Sequence, residues 1–188
     1  MRQFFNLNTI VNAVLFQILW FAAILGSAKL LMWPSILACI VLAVWQLNPT
    51  RRHASDLKLI GAAIFIGLVG DTLLLHFNLF EFTYPFPVAN FTPLWIIFMW
   101  IGFALTINHS MKWINLHPLL PAILGLIFAP LSYLAGLRLG AVEYLADPLL
   151  VSVCIGIIWA IAMTILARIS TQYSYCLLYT SPSPRDRG

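Results

Sequence analysis

Charged residues are scarce in this sequence of 188 residues: Asp, Glu, Lys and Arg make up 9% of it, whereas 62% is hydrophobic. A soluble domain carries about 25% charged residues, so this chain has too few charges to build a water-facing surface. Lipid must therefore surround most of the chain. In lipid, every backbone polar group has to be satisfied internally, which restricts the fold to helices or a closed barrel.

Cysteines and catalytic motifs are also scarce. Cys39, Cys154 and Cys176 are far apart, and their spacing fits neither a disulfide framework nor a metal site. The sequence has no HExxH, GxSxG, CxxC or Walker-type glycine run. The ten Lys and Arg residues are spread along the chain rather than gathered in a nucleic-acid-binding patch. We therefore expect no metal, cofactor or nucleic-acid partner. The expected partners are the lipid bilayer, lipid substrates and other membrane proteins.

Long apolar runs are present instead, and they favour helices over the ten-residue alternating strands of a membrane barrel. They predict one all-α domain over residues 1–175, a polytopic transmembrane helix bundle. About six spans are expected, at residues 9–28, 30–47, 57–79, 93–113, 118–137 and 148–168. A cleaved signal peptide is the alternative for the first run. That run exceeds the roughly 7 to 15 residues of a signal h-region, and a second span follows at once.

An even number of spans places both ends of the chain on one side of the membrane. The positive-inside rule makes that side the cytoplasm, so an N-in and C-in orientation is expected. Only Lys29 and Arg138 fall on the other side. The cytoplasmic set comprises Arg2, Arg51, Arg52, Lys58, Lys112 and Arg168.

The last thirteen residues, CLLYTSPSPRDRG at 176–188, change abruptly in character. They resemble a translated DNA-sequencing adapter, and such scars are excluded from fold reasoning. The alternative is a Ser- and Pro-rich disordered tail. On the adapter interpretation, we expect the native C-terminus after about Tyr175 to be missing from this sequence.

The main candidate site is in the third span, where Asp71 interrupts the run LKLIGAAIFIGLVGDTLLLHFNLF. A carboxylate inside a membrane segment costs about 2.5 to 3.5 kcal/mol and usually faces a bundle interior or a pathway. The helix rise puts Asp71 beyond the midplane and His76 near the outer interface, with Glu81 in the following loop. Asp71, His76 and Glu81 are the catalytic candidates. A direct Asp71–His76 pair is not expected, because residues five apart lie about 140° around a helix.

Other polar candidates lie on the first and fourth spans and in an outer loop. Asn12 and Gln17 are expected to hydrogen-bond to neighbouring helices, as polar side chains in membrane spans usually do. Asn108 and His109 lie at the cytoplasmic end of the fourth span, on the opposite side from His76, and Arg138 lies among the outer acids. Two interpretations of Asp71 stay open. It is either a protonatable functional group or a structural acid held by Asn12, Gln17 or Thr106.

The runs GDTLLLHFNLF and PLWIIFMWIGFALTINHSMKWI resemble a family of small bacterial inner-membrane proteins defined only as a domain of unknown function. The similarity covers nearly all of residues 6–168. Its most specific residues are Gly70, Asp71, Pro93, Trp95, Trp100, His109, Ser110 and Trp113. The resemblance implies a multi-span protein of the bacterial inner membrane. It also implies a connection with lipid, since some members lie beside genes for fatty-acid modification.

Three functions are compatible with these features. The first is an accessory protein of a membrane or lipid-related process, with no assigned biochemical activity. The second is a lipid-modifying enzyme whose polar site around Asp71 faces the outer leaflet. The third is a small proton-coupled transporter that uses Asp71. The sequence does not choose between enzyme, carrier and scaffold, and it names no substrate.

Overall fold

The structure, a computed structural model, describes residues 6–179, with side chains described as far as Gln172. The six α-helices are α1 Leu7–Ala28, α2 Trp33–Gln46, α3 Asp56–His76, α4 Leu94–Ile107, α5 Leu120–Arg138 and α6 Pro148–Tyr179. The predicted all-helical class is therefore confirmed. Of the adapter-like segment 176–188, the backbone of residues 176–179 lies in α6 and residues 180–188 lie outside the described residues, as does Arg2.

Local sequence fixes where the first and last helices begin. The Asn6 side chain accepts a hydrogen bond of 2.8 Å from the backbone N–H of Thr9, the usual role of a residue that caps a helix N-terminus. Asp147 caps α6 in the same way, since its Oδ1 accepts hydrogen bonds from the backbone N–H groups of Leu149 and Leu150 at 3.0 and 3.1 Å. Capping satisfies N–H groups that have no partner within the helix.

The fourth helix, α4, is the centre of the bundle. It contacts α1, α2, α3 and α6, and 9 of its 14 residues are buried. Gly102 allows the close approach to α1, because a Cβ atom there would lie 2.2 Å from Cδ2 of Leu19. Large apolar side chains cover the outside of the bundle, among them Phe65, Val44 and Phe128, which are 68%, 71% and 60% exposed. The molecule thus has both a packed apolar core and an apolar exterior.

Helix length separates the six helices into two groups. Four of them are long and apolar enough to cross a membrane: α1, α3, α5 and α6. The other two, α2 and α4, have 14 residues each, or about 21 Å, less than the roughly 30 Å of a bilayer core. The predicted fourth span runs to residue 113, but α4 ends at Ile107. The following residues, Asn108 to Ser110, bond to other helices instead.

Two short strands close one end of the bundle. Strand β1, Phe80–Phe82, follows α3, and strand β2, Val142–Tyr144, follows α5; they pair antiparallel. Phe80 and Phe82 point into the core and are 1% and 4% exposed. A 3-10 helix, Lys112–Leu116, lies at the other end, between α4 and α5.

Candidate functional site

Asp71 lies on α3 and is 2% exposed. One carboxylate oxygen accepts a hydrogen bond of 2.8 Å from Trp100 Nε1 on α4. The other oxygen accepts a hydrogen bond from the Tyr133 hydroxyl on α5. The acid therefore joins three helices and has a donor for each of its oxygens, the condition under which a buried polar group is tolerated.

The expectation that Asn12, Gln17 or Thr106 holds Asp71 is wrong. Asn12 lies five residues into α1 and Asp71 fifteen residues into α3, and both helices start at the same end of the bundle. The two residues are therefore about 15 Å apart along the helix axes. The Thr106 hydroxyl donates to the carbonyl oxygen of Phe103 on its own helix, and Gln17 is exposed.

Packing fixes the Trp100 indole in front of Asp71. The ring stacks on Trp159 of α6, with centroids 4.2 Å apart and planes 14° apart. Gly67 of α3 leaves the space that the indole occupies, since a Cβ atom there would lie 2.3 Å from Trp100. This glycine and the stacked ring together hold the indole N–H in line with the carboxylate.

An elongated cavity of about 630 Å³ lies between α1 and α5, with α4 and α6 behind it. Nearly all of its lining is aromatic or aliphatic; the polar exceptions are Gln17, Ser132 and the hydroxyl of Tyr133. Along α5 the lining runs from Leu124 to Gly136, about 18 Å of helix. The volume falls within the roughly 300 to 1,000 Å³ of small-molecule sites, which are typically apolar with a few polar groups.

The cavity opens toward the outside of the bundle. Two of its lining residues on α5, Phe128 and Leu131, are 60% and 54% exposed. Across the cavity, Trp20 Nε1 of α1 donates a hydrogen bond of 2.9 Å to Ser132 Oγ of α5. The opening between α1 and α5 is thus bridged by one indole-to-hydroxyl hydrogen bond.

The cavity and the buried acid share two residues. Trp100 and Tyr133 line the cavity, and both donate to Asp71. Asp71 itself lies behind them and is not part of the lining. The carboxylate therefore orients two aromatic side chains of the cavity wall, and a proton on the Tyr133 hydroxyl has a carboxylate acceptor beside it.

The remaining candidates from the outer end do not join this site. His76 and Glu81 are exposed, and so is Arg138 at the end of α5. Glu81 lies opposite Glu143 in the two-stranded sheet, a like-charge pair on the outward face. The structure thus separates Asp71 from His76, Glu81 and Arg138.

A second polar cluster lies at the opposite end of the bundle, around Asp56, the first residue of α3. Asp56 is 1% exposed. Its Oδ1 accepts from Asn108 Nδ2 at 2.7 Å, and its Oδ2 accepts from the His53 backbone N–H at 2.7 Å. Oδ2 also lies 3.0 Å from His109 Nε2. His109 Nδ1 lies 3.1 Å from Gln46 Nε2, so the amide donates to Nδ1 and the ring proton is on Nε2.

This cluster continues into α1. Gln46 Oε1, on the last residue of α2, accepts a hydrogen bond of 2.7 Å from Asn12 Nδ2. Asn12 Nδ2 also donates to the carbonyl oxygen of Leu105, and Asn12 Oδ1 accepts from the Ser110 hydroxyl at 2.6 Å. Asn12 is therefore a fully bonded buried amide, as the interpretation of polar residues in the first span predicts.

On the other side the cluster reaches α6. Ser170 Oγ donates to Asn108 Oδ1 at 2.7 Å, and Asn115 Nδ2 donates to Ser170 Oγ at 3.3 Å. The cluster thus joins the start of α1, the end of α2, the start of α3, the end of α4 and the C-terminal half of α6. Consecutive helices from α1 to α4 therefore run in opposite directions.

Sequence reasoning missed Tyr133 and Asp56, and it singled out Trp100 only through the family resemblance, without predicting that it donates to Asp71. A signal for Asp56 was present, because Arg52 and Lys58, which flank it in the sequence, were expected on the same side of the membrane as Asn108 and His109. Within residues 6–172, no group of three or more His, Cys, Asp or Glu side chains could hold a metal ion.

Comparison with known proteins gives a family and no activity. No curated protein and no solved structure matches the chain. Residues 9–165 match the family described as "Protein of unknown function (DUF2878)". These residues include Asp71, Trp100, Tyr133 and all of the cluster around Asp56 except Ser170. Because the match spans most of its length, the chain belongs to this family of unknown function.

Proposed function

We propose that this protein is a six-crossing membrane protein that binds an acyl chain of a membrane lipid in the cavity between α1 and α5. In this role it is accessory to a lipid-related process of the bacterial inner membrane. The observation that carries the proposal is the elongated apolar cavity, which opens between α1 and α5 onto an apolar exterior. The inner-membrane location is part of this proposal and is supported only by the resemblance of the sequence to a family of small bacterial inner-membrane proteins.

Six crossings are supported by the surroundings of the two short helices. A helix enclosed by protein does not have to match the bilayer thickness, because polar backbone beyond its ends is buried in protein rather than in lipid. This argument applies to α4, which has α1, α2, α3 and α6 around it. For α2, the hydrogen bond between Gln46 and Asn12 favours a full crossing. It places the end of α2 beside the start of α1, whereas α2 begins just after the end of α1.

The charge distribution supports a cytoplasmic location for both ends. Four cationic residues lie near the cluster around Asp56: Arg51, Arg52, Lys58 and Lys112. Two others, Lys29 and Arg138, lie near the end closed by the two strands. Cytoplasmic loops carry the excess of Lys and Arg. The Asp71 site then lies toward the outer leaflet.

The chemistry of the cavity favours an acyl chain over a polar solute. Its walls are aromatic and aliphatic, and burying a polar molecule there without hydrogen-bond partners costs roughly 2 to 7 kcal/mol. The cavity follows α5 lengthwise, the direction in which lipid chains lie in a bilayer. Its exposed rim residues, Phe128 and Leu131, would face those chains.

Native mass spectrometry of the protein in a mild detergent tests the proposal. We expect one lipid to stay bound to the wild type after delipidation, and Ala135→Trp to lose it, because Ala135 lines the cavity. Val44→Trp is the matched control, since Val44 is 71% exposed on α2 and lies outside the cavity. Equal lipid retention by wild type and Ala135→Trp would contradict the proposal, and so would a bound peptide or polar metabolite in place of lipid.

A second candidate function is a lipid-modifying enzyme, and the Tyr133–Asp71 pair favours it. A phenol that lines the cavity and donates to a carboxylate can serve in proton transfer to a bound molecule. In this role Tyr133 would contact the lipid and Asp71 would position it. Comparing the lipids of a deletion strain complemented with wild type or Tyr133→Phe distinguishes the two functions. An altered lipid profile, with lipid binding retained in Tyr133→Phe, favours the enzyme.

The third hypothesis, a proton-coupled transporter, has less support. Asp71 is enclosed by Trp100 and Tyr133 rather than lining the cavity, so a transported proton would need these side chains to move. Flux into reconstituted vesicles that depends on a pH gradient, and is lost in Asp71→Asn, would favour this hypothesis.

A further inference from the structure

A second, polar pocket of about 260 Å³ lies beside the cluster around Asp56, at the end of the bundle opposite the two strands. Amide and hydroxyl side chains contribute much of its lining. Two cationic side chains complete it: Arg51 from the connection between α2 and α3, and Lys112 from the start of the 3-10 helix. No carboxylate is among the described residues that line the pocket.

The two cations are not neutralised by acids of the described chain. Asp56 is near the pocket, but it is engaged with Asn108, His109 and the His53 backbone. No ion pair joins Arg51 or Lys112 to a carboxylate among the described residues. The pocket therefore carries a net positive charge, and its amide and hydroxyl side chains add neutral N–H and O–H donors.

Arg51 is fixed in place before any ligand arrives. Its guanidinium carbon lies 3.8 Å from the centroid of the Trp45 ring, and its Nη1 donates to the Trp45 carbonyl oxygen at 3.4 Å. The planar guanidinium has five N–H donors, so most of them stay available. An arginine held on an aromatic ring loses less side-chain entropy when it binds an oxyanion.

The start of α1 adds to the positive potential. Asn8 and Thr9, in the first turn of this 22-residue helix, line the same pocket. A helix N-terminus carries about half a positive charge and favours anions; since the Thr9 N–H is already bonded to Asn6 Oδ1, the dipole rather than this N–H acts on the pocket. The helix end, Arg51 and Lys112 thus act on the same volume from three separate elements.

We propose that this pocket binds a phosphate group. Phosphate is an oxyanion that an arginine fork, a lysine and a helix N-terminus all bind. The phosphate belongs either to a lipid headgroup or to a soluble phosphate compound. The arrangement of the chain fits a lipid, since Met111 and Trp113 line the apolar cavity whereas Lys112, between them, lines the polar pocket. The phosphate site does not depend on what fills the apolar cavity.

The experiment has two arms, both on the full chain purified in an uncharged detergent. Isothermal titration calorimetry with inorganic phosphate tests for a soluble ligand. Native mass spectrometry tests for a lipid headgroup, by comparing phosphatidylglycerol with diacylglycerol of the same chains. Since diacylglycerol lacks the phosphoglycerol headgroup, the difference between the two lipids reports headgroup binding, and acyl-chain binding cancels.

Binding in either arm supports the proposal if Arg51→Gln and Lys112→Gln each weaken the phosphate-dependent part by about tenfold, the loss of one charge-assisted hydrogen bond. Arg52→Gln is the matched control, because Arg52 is the neighbouring residue, has the same charge and lies outside the pocket. Lys112 is exposed, so its variant is expected to fold. Absence of phosphate-dependent binding in both arms, or an equal loss in Arg52→Gln, would overturn the proposal.

Discussion

Trp100 and Tyr133 donate to the two oxygens of one carboxylate, that of Asp71, from two different helices. Both aromatic residues also line the apolar cavity. A buried carboxylate therefore determines the orientation of two side chains in the cavity wall. If the cavity binds a lipid as proposed, stability and ligand binding are coupled at this point, and substitutions here are expected to affect both.

Removing one of the two donors should destabilise the bundle. Tyr133→Phe keeps the ring but leaves one buried oxygen of Asp71 without a donor, which costs about 1 to 3 kcal/mol. The free energy of unfolding is measured in mixed micelles titrated with SDS and followed by tryptophan fluorescence. Tyr84→Phe is the matched control, because the Tyr84 ring stacks on Phe86 in the loop after β1, away from Asp71. Equal stability of Tyr133→Phe and the wild type would mean that the acid does not need this donor.

Two glycines of α3 give a test of how closely Trp100 packs. A Cβ atom at Gly67 would lie 2.3 Å from the indole of Trp100, whereas at Gly61 nothing lies within 4 Å. Gly67→Ala is therefore expected to displace the indole from Asp71 and to cost about 1 to 3 kcal/mol of stability. Gly61→Ala should be neutral or stabilise the helix by up to about 1 kcal/mol.

The same SDS titration measures both glycine variants. A Gly67→Ala protein as stable as Gly61→Ala would show that the space between Gly67 and the Trp100 indole can accommodate a methyl group.

Asp56 allows a test of the second cluster. Asp56→Asn replaces one of the two acceptor oxygens with an NH2 group. This NH2 group would face another donor, either Asn108 Nδ2 at the Oδ1 position or the His53 N–H and His109 Nε2 at the Oδ2 position. We expect a loss of about 3 kcal/mol in the free energy of unfolding. Asp147→Asn is the control, because asparagine caps a helix about as well as aspartate. It should change stability by less than about 0.5 kcal/mol, and a similar loss in the two variants would contradict the special role of Asp56.

The helices could be predicted from the sequence because hydropathy over a window is a local property. A long apolar run has to form a helix in lipid whatever its neighbours are. The ends of the helices depend on tertiary contacts and were less predictable. For example, α4 ends at Ile107, and Ser110, three residues later, bonds to Asn12 on another helix. The two three-residue strands are too short to give a periodic signal.

The burial of Asp71 could be predicted, but its partners could not. The cost of a carboxylate in lipid forces it inward regardless of which residues receive it. Which residues donate hydrogen bonds to it depends on how α4 and α5 are rotated about their axes. The sequence of a helix that is apolar all round gives little information on that rotation. Trp and Tyr also commonly occur as interface anchors in membrane proteins. Because the sequence has seven Trp and six Tyr residues, residue type alone does not distinguish Trp100 and Tyr133 from the others.

The crossing pattern can be tested with single cysteines in a variant without the native Cys39, Cys154 and Cys176. Ala54 lies between α2 and α3, Val88 between β1 and α4, and His117 between α4 and α5, and all three are exposed. With six crossings and a cytoplasmic N-terminus, a membrane-impermeant maleimide added to spheroplasts should label Val88→Cys and not Ala54→Cys or His117→Cys. Permeabilised spheroplasts, in which all three should react, are the control.

Each short helix is tested separately by this pattern. If α2 does not cross the membrane, Ala54→Cys lies on the same side as the connection between α1 and α2 and reacts from outside. If α4 does not cross, Val88→Cys and His117→Cys lie on the same side and react alike. Because Arg51, Arg52 and Lys58 surround residue 54, its labelling from outside would also contradict the positive-inside argument for the cytoplasmic end.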